Sequence, residues 1–287
     1  MDAQRQYNPL SPPLADAAAF PLAADVLGDA SRIAERVALA AGMTGNVLSR
    51  PGSALSPQQQ EVIFTALVRV TSASFEADMT EYWTLRRRER YFDRLSEFMI
   101  VADERGHMVG WSGFQTLEAP AFVNIYIDST GMVSAQQSRG VMRTLLGERI
   151  SNGAVARHRA SSPVYVSARS ESPVFYKLMR SVVGADALFP QPGADPPPDI
   201  LACAQDLAGR LGQSDIMQRG SLVLRNAYAV LDELYGELPS CGDADLDQLF
   251  RSHLGPLDAF LLVGRAERNP AGAAAPGTPP PLAGEAR

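Results

Sequence analysis

Gln137, Ser138, Arg139 and Gly140 sit where the strand-like run beginning at Asn124 gives way to a helix-like pattern ending near Leu146. A strand running straight into a helix aims backbone N–H groups at whatever lies beyond the strand end. Those orphan amides and the helix dipole both favour an anion, and phosphate above all. Gly140 has a second reading, a close helix–strand contact. Arg139 either faces solvent or reaches the phosphates of a nucleotide.

Other reactive residue types are less well placed. His107, His158 and His253 fall in a hairpin, a loop and a helix, with neither triad nor metal spacing, so no metal is expected. Gly242 to Asp247 resembles a calcium loop only loosely, lacking the Gly and terminal Glu that loop needs. An acidic helix start explains it better. Ser53, Ser72 and Ser74 lie in no nucleophile elbow. Cys203 and Cys241 are too few for a disulfide framework, which fits reduced thiols and a cytoplasmic protein. The run Arg86, Arg87, Arg88 and Arg90 is flanked by Glu81, Glu89 and Asp93 and reads as a solvated helix face. With a net charge of −6, nothing draws the whole chain to nucleic acid or an anionic membrane. No apolar run approaches the ~18 residues of a membrane span, and the N-terminus has no signal-peptide pattern.

The elements that must position the anion site follow from periodicity. The chain has 287 residues, 46% of them hydrophobic, enough for a sizeable core. Residues 1–22 are rich in Pro and Ala and expected to be unstructured. Ala24 to Ala41 has helical spacing, ended by Gly42 and Gly45. Ser56-Pro57 starts a helix with Val62, Ile63, Ala66, Leu67 and Val70 on its apolar face. Another helix is expected from Met79 to Leu95. Phe98–Val101 and Met108–Leu117 read as a β-hairpin with a turn at Asp103–Gly106. Phe122–Asp128 is the next strand, kinking at Gly131 before Met132-Val133. A helix from Ser134 or Ala135 carries Val141, Leu145, Leu146 and Ile150. Then come a strand at Val164–Ala168, a helix at Val174–Val183 and a Pro/Gly-rich loop. Ile200–Leu211, Ala227–Tyr235 and Leu246–His253 look helical, Leu222–Arg225 and Asp258–Gly264 strand-like. Residues 269–287 form a Pro/Ala/Gly-rich tail.

Three segments resemble the GNAT acyltransferase superfamily. They are the hairpin leading into Phe122–Asp128, the stretch DSTGMVSAQQSRGVMRTLL, and VYVSA followed by SPVFYKLMR. The second is similar to the family's acyl-CoA pyrophosphate loop, Gln/Arg-x-x-Gly-x-Gly/Ala, except that Met142 stands where a small residue is usual. The resemblance implies an α+β fold whose mixed, mainly antiparallel sheet is flanked by helices. Extra helices would lie at the N-terminus and before the last strand. The domain would cover 23–268, with a helical insertion at about 186–257. It implies acyl-CoA, most simply acetyl-CoA, held by Gln137, Ser138, Arg139, Gly140, Val141 and Met142. The pantetheine would lie near Met132 and Val166, with an oxyanion-binding N–H near Met132 or Val133. It also implies that Tyr176 protonates the departing thiolate.

The general base is open. Asp128 shares a strand face with Met132 and Tyr126, and Glu118 is another candidate. The expected reaction is direct attack of an amine, on a small molecule or peptide, upon the thioester. Met142 leaves room for an acyl carrier protein as donor, since its phosphopantetheine arm needs less pyrophosphate contact. It also leaves room for a degenerate module that binds without catalysis. The extra helices could shape the acceptor pocket or form a homodimer surface.

Overall fold

In the computed structural model residues 20–154, 162–229 and 239–266 are described. Residues 1–19, the tail 269–287, His158 and the 230–235 part of the expected Ala227–Tyr235 helix lie outside them. Among the described residues ten strands form one sheet. They are β1 Glu35–Ala38, β2 Thr44–Ser49, β3 Glu97–Ala102, β4 Met108–Glu118, β5 Val123–Met132, β6 Val164–Ser170, β7 Leu188–Phe189, β8 Met217–Gln218, β9 Val223–Leu224 and β10 Ala259–Arg265. Their order is β1-β2-β3-β4-β5-β6-β10-β9-β8, with β7 also pairing β10. Neighbours are antiparallel except β5 and β6, which are parallel. The chain is thus a mixed α+β protein with a mostly antiparallel sheet flanked by helices.

The helices are α1 Ala23–Leu27, α2 Pro51–Ala54, α3 Pro57–Phe75, α4 Thr80–Arg88, α5 Tyr91–Arg94, α6 Val141–Leu146, α7 Pro173–Val183, α8 Pro198–Arg210 and α9 Ala244–His253. A parallel pair cannot be joined by a hairpin, and α6 lies in the crossover from β5 to β6. Ser56 caps α3 in a reciprocal capping box with Gln59, and Pro57 takes the first turn. Ile63, Ala66, Leu67 and Val70 recur at helical spacing and are buried where α3 packs on β4 and β5. Each such side chain contributes about 1.5–3 kcal/mol when fully buried. Phe64, Trp83, Tyr91, Phe92 and Phe98 extend that core as tilted and edge-on aromatic pairs.

Several expectations are corrected. The helix expected over Ala24–Ala41 stops at Leu27, because Gly28 takes φ 51°. The chain then supplies β1 to pair with β2, a strand the helical spacing concealed. Phe20 is buried and Leu22 bridges to His107, so the fold begins before residue 23. The Met79–Leu95 helix breaks into α4 and α5 at Arg90, which is left-handed at φ 55°. The helix expected from Ser134 is a 3-10 turn, Ser134–Gln136, and α6 starts only after Gly140. The 186–257 region holds α8 and α9 but also the short strands β7, β8 and β9. No helix among the described residues is long and apolar enough to cross a membrane.

Candidate functional site

β5 and β6 pair only from Val123/Val164 to Ile127/Ala168, although β5 runs on to Met132 and β6 to Ser170. A bulge accompanies the parting. The β4–β5 register shifts between Gly113 and Phe114, which leaves Asp128 without a partner. An extra residue on one strand bends it and increases its twist. The break therefore falls at Asp128, three residues before the Gly131 expected from sequence.

A cleft of about 1070 Å³ opens in the parting. Its floor includes Ile127, Ser129, Met132, Ala168 and Ser170. Ser129 Oγ shares a 2.7 Å hydrogen bond with the Tyr91 hydroxyl and accepts one of 3.2 Å from Trp111 Nε1. Gly131 is required by close approach, since a Cβ there would lie 2.3 Å from the Trp111 ring.

Amide directions along β5 follow from the ladder. Val133 N–H donates to the Val109 carbonyl at 2.9 Å, which removes it as an oxyanion donor. Gly110 and Met132 are then a non-hydrogen-bonded pair, as are Ser112 and Thr130. Alternation turns the N–H groups of Met132 and Thr130 away from β4, toward the gap left by β6.

The join to α6 forms one end of the cleft. Gln137 Nε2 donates to the Met132 carbonyl at 2.8 Å, so this side chain ties the loop to the strand end. Ser138 and Gly140 are left-handed at φ 62° and 75°. The N–H groups of residues 138–143 have no acceptor among the described residues. A Cβ at Gly140 would meet nothing within 4 Å, so space lies open in front of them. Arg139, Met142 and Arg143 line the same end, both arginines exposed.

The opposite end is aromatic and charged. Asp128 is held between Arg86 Nη2 and Gln115 Nε2, the latter at 2.8 Å. Arg86 also lies over the Tyr91 and Tyr82 rings and 3.7 Å from Glu89. Its side chain is 8% exposed, against the solvated face expected from sequence. The reason is helical geometry: Arg86 shares a face with Tyr82 and Trp83, while Arg87 and Arg88 point to solvent. Arg169, at the end of β6, lies over the Tyr228 ring at 4.7 Å. Burial pushes the Tyr228 phenol up to about 12.

Of the three expected catalytic side chains, Asp128 alone lines the cleft. Tyr126 is 1% exposed, and burial pushes its phenol up. Tyr176 belongs to the core face of α7 with Met179 and Val183. Its hydroxyl donates to the Pro190 carbonyl at 2.7 Å, its ring meets Phe250 edge-on, and burial raises its pKa. Phe175 and Leu178 face the cleft instead. Tyr176 therefore lies outside the lining of the cleft. Glu118 is exposed and away from the cleft. Val166 is buried in the paired part of β6.

Sequence reasoning missed Tyr82, Arg169 and Tyr228. A signal for Arg169 existed: Tyr165, Ser167 and Arg169 alternate on one face of an otherwise apolar strand. An Arg in that row is costly unless it meets a partner or a cavity.

No protein-family model matches the sequence, and no curated protein matches it. Solved structures do match. A GNAT family N-acetyltransferase from Escherichia coli in complex with CoA is 16% identical, covering 50% of this chain and 69% of its own, with a TM-score of 0.31. A variant spermidine N-acetyltransferase from Vibrio cholerae is 13% identical over 49% of this chain and 77% of its own, at 0.29. A GNAT family acetyltransferase from Brucella melitensis in complex with acetyl-CoA is 15% identical over 42% and 74%, at 0.28.

Proposed function

We propose that the chain is an acyl-CoA-dependent N-acyltransferase of the GNAT kind. One observation carries the reading: two parallel strands part at a bulge, and the cleft between them ends on a row of amides without acceptors. The amides of residues 138–143, with Arg139 and Arg143, suit a pyrophosphate. The unpaired edge of β5 offers the N–H groups of Met132 and Thr130 to the amide-bearing arm of an acyl thioester, in the manner of an added strand.

The acceptor amine would enter from the end bounded by Tyr82, Asp128 and Tyr228. Its nitrogen bonds to the thioester carbon, the carbon–sulfur bond breaks, and the thiolate takes up a proton. An N–H of the β5 edge stabilises the charge on the carbonyl oxygen, a contribution of roughly 3 kcal/mol for one donor. Asp128 pairs with Arg86 through one oxygen and accepts from Gln115 with the other, so both its oxygens are engaged. It serves to fix the bulge, and water takes the ammonium proton.

Calorimetric titration with CoA and acetyl-CoA, followed by thiol release across a panel of amines, tests this. Binding of both with turnover of at least one amine is the expected result. Failure of either thioester or free CoA to bind would end the proposal. A second reading, binding without catalysis, draws on the removal of Tyr176 from the cleft. Binding with no turnover on any amine or peptide would favour it.

A further inference from the structure

Arg169 lines the acceptor end of the cleft, Arg86 lies behind it against Asp128, and their situations differ. Arg86 is neutralised by Asp128 and approached by Glu89. Arg169 has no carboxylate within 4 Å among the described residues. It is half-buried at the end of a strand, with its guanidinium over Tyr228. Beside the Tyr228 side chain, Nη1 has two acceptors among the described residues, Gln213 Oε1 at 3.1 Å and the Ala227 carbonyl at 3.4 Å. Both are neutral. They fix the plane of the fork without balancing its charge. Arg169 lines the cleft beside Tyr228. Glu171, two residues on, is buried and does not line the cleft.

A guanidinium drawn out of bulk water, oriented by neutral groups and lining a cavity, is built for a planar oxyanion. Tyr228 adds an apolar wall beside it, and Tyr82 lines the same end. On the acyl-transfer reading, a pyrophosphate-type anion lies on the amides at the other end of the cleft. The charge at Arg169 therefore belongs to the second reactant. We infer that the acceptor is an amino acid or a close relative, whose carboxylate docks on Arg169 while its amine lies toward the strand parting at Asp128. The inference rests on the acyl-transfer reading for the amine's fate, but the carboxylate site itself does not.

Equilibrium binding separates the two. The common L-amino acids and their carboxamides are titrated by calorimetry into the full chain and into Arg169→Gln and Arg169→Lys, with CoA titrated in parallel. At least one amino acid should bind the unaltered protein roughly tenfold or more tightly than its carboxamide, the range for a hydrogen bond to a charged group. Arg169→Gln should abolish that preference, Arg169→Lys should keep part of it, and CoA affinity should be the same in all three. Equal binding of acid and amide, or a preference that survives Arg169→Gln, overturns the carboxylate site while CoA binding leaves the acyl-transfer reading standing. A carboxylate preference lost in Arg169→Gln without any CoA binding supports the site and removes the transferase. Binding of no amino acid overturns the inference outright.

Discussion

Asp128→Ala removes the carboxylate to which a buried arginine donates, and the structure sets the size of the effect. The two side chains are 8% and 2% exposed, so Arg86 cannot turn to water without opening the packing of α4 on the sheet. Breaking a buried pair from one side costs about 3–5 kcal/mol. Arg86 keeps Glu89 at 3.7 Å and the faces of Tyr91 and Tyr82 at 4.9 and 5.6 Å, which places the loss near the lower figure. For a domain of this size, about 3 kcal/mol lowers Tm by roughly 6–12 °C.

Arg86→Met orphans the carboxylate instead, leaving it Gln115 alone, and should cost a similar amount. The double variant Arg86→Met/Asp128→Leu removes both charges and keeps the volume, so it should be more stable than either single variant. Urea unfolding followed by tryptophan fluorescence gives all three free energies at constant slope. Two single losses under about 1 kcal/mol that simply add would refute the reasoning, because they would mean that the pair is solvated.

Gly140→Asp places a carboxylate before the open amides; its Cβ meets no neighbour within 4 Å, and the left-handed φ of 75° adds backbone strain. It should weaken CoA roughly tenfold or more by repulsion, and an unchanged calorimetric affinity would take the phosphate site away from this turn. Tyr176→Phe leaves the Pro190 carbonyl unpaired, so Tm should fall by an amount matching about 1–2 kcal/mol. Turnover should stay within about twofold, and a tenfold drop in kcat, the scale of a lost general acid, would return Tyr176 to the mechanism. The Ser240 hydroxyl and the Cys241 N–H donate to Asp247 and hold its carboxyl down to about 2 from 3.8. A depressed folded pKa stabilises above the unfolded value of about 3.9 and loses that contribution as pH falls toward the folded one. Asp247→Asn should therefore flatten the fall of Tm between about pH 4 and pH 2. An acid limb identical to the unaltered protein's would sink the assignment.

Much of the fold was legible because its signals are local. A change of period and a turn at Asp103–Gly106 marked β3 and β4, and Ser56-Pro57 marked the start of α3. The strand-to-helix join at Gln137–Gly140 was visible for the same reason. What escaped depends on partners distant in sequence. β1 exists because β2 needs an edge partner, and β2 carries Gly45 and Asn46, which dilute its apolar pattern. Tyr176 stood in a stretch resembling a catalytic element, yet its spacing to Met179 and Val183 marked a core face. Arg86 looked like one member of a charged run. Nothing local says that a bulge 42 residues away sets a carboxylate against it.

That bulge also explains why the cleft and the core are one problem. Side chains on a strand alternate, so slipping β5 by one residue would carry Asp128 to the opposite face and Ser129 into its place. The pairing with Arg86 and Gln115 therefore discriminates between registers by the full cost of an unpaired buried charge. Two glycines accommodate the chosen one. Gly113 leaves room for the Tyr91 hydroxyl, which a Cβ would approach to 2.2 Å, and Gly131 leaves room for the Trp111 ring. Tyr91 and Trp111 in turn converge on Ser129, the first paired residue beyond the bulge. A strand pinned in this way cannot straighten to rejoin β6 beyond Ala168 without undoing the α4–α5 packing. The gap between the strands is thus maintained by the same side chains that close the core beneath it.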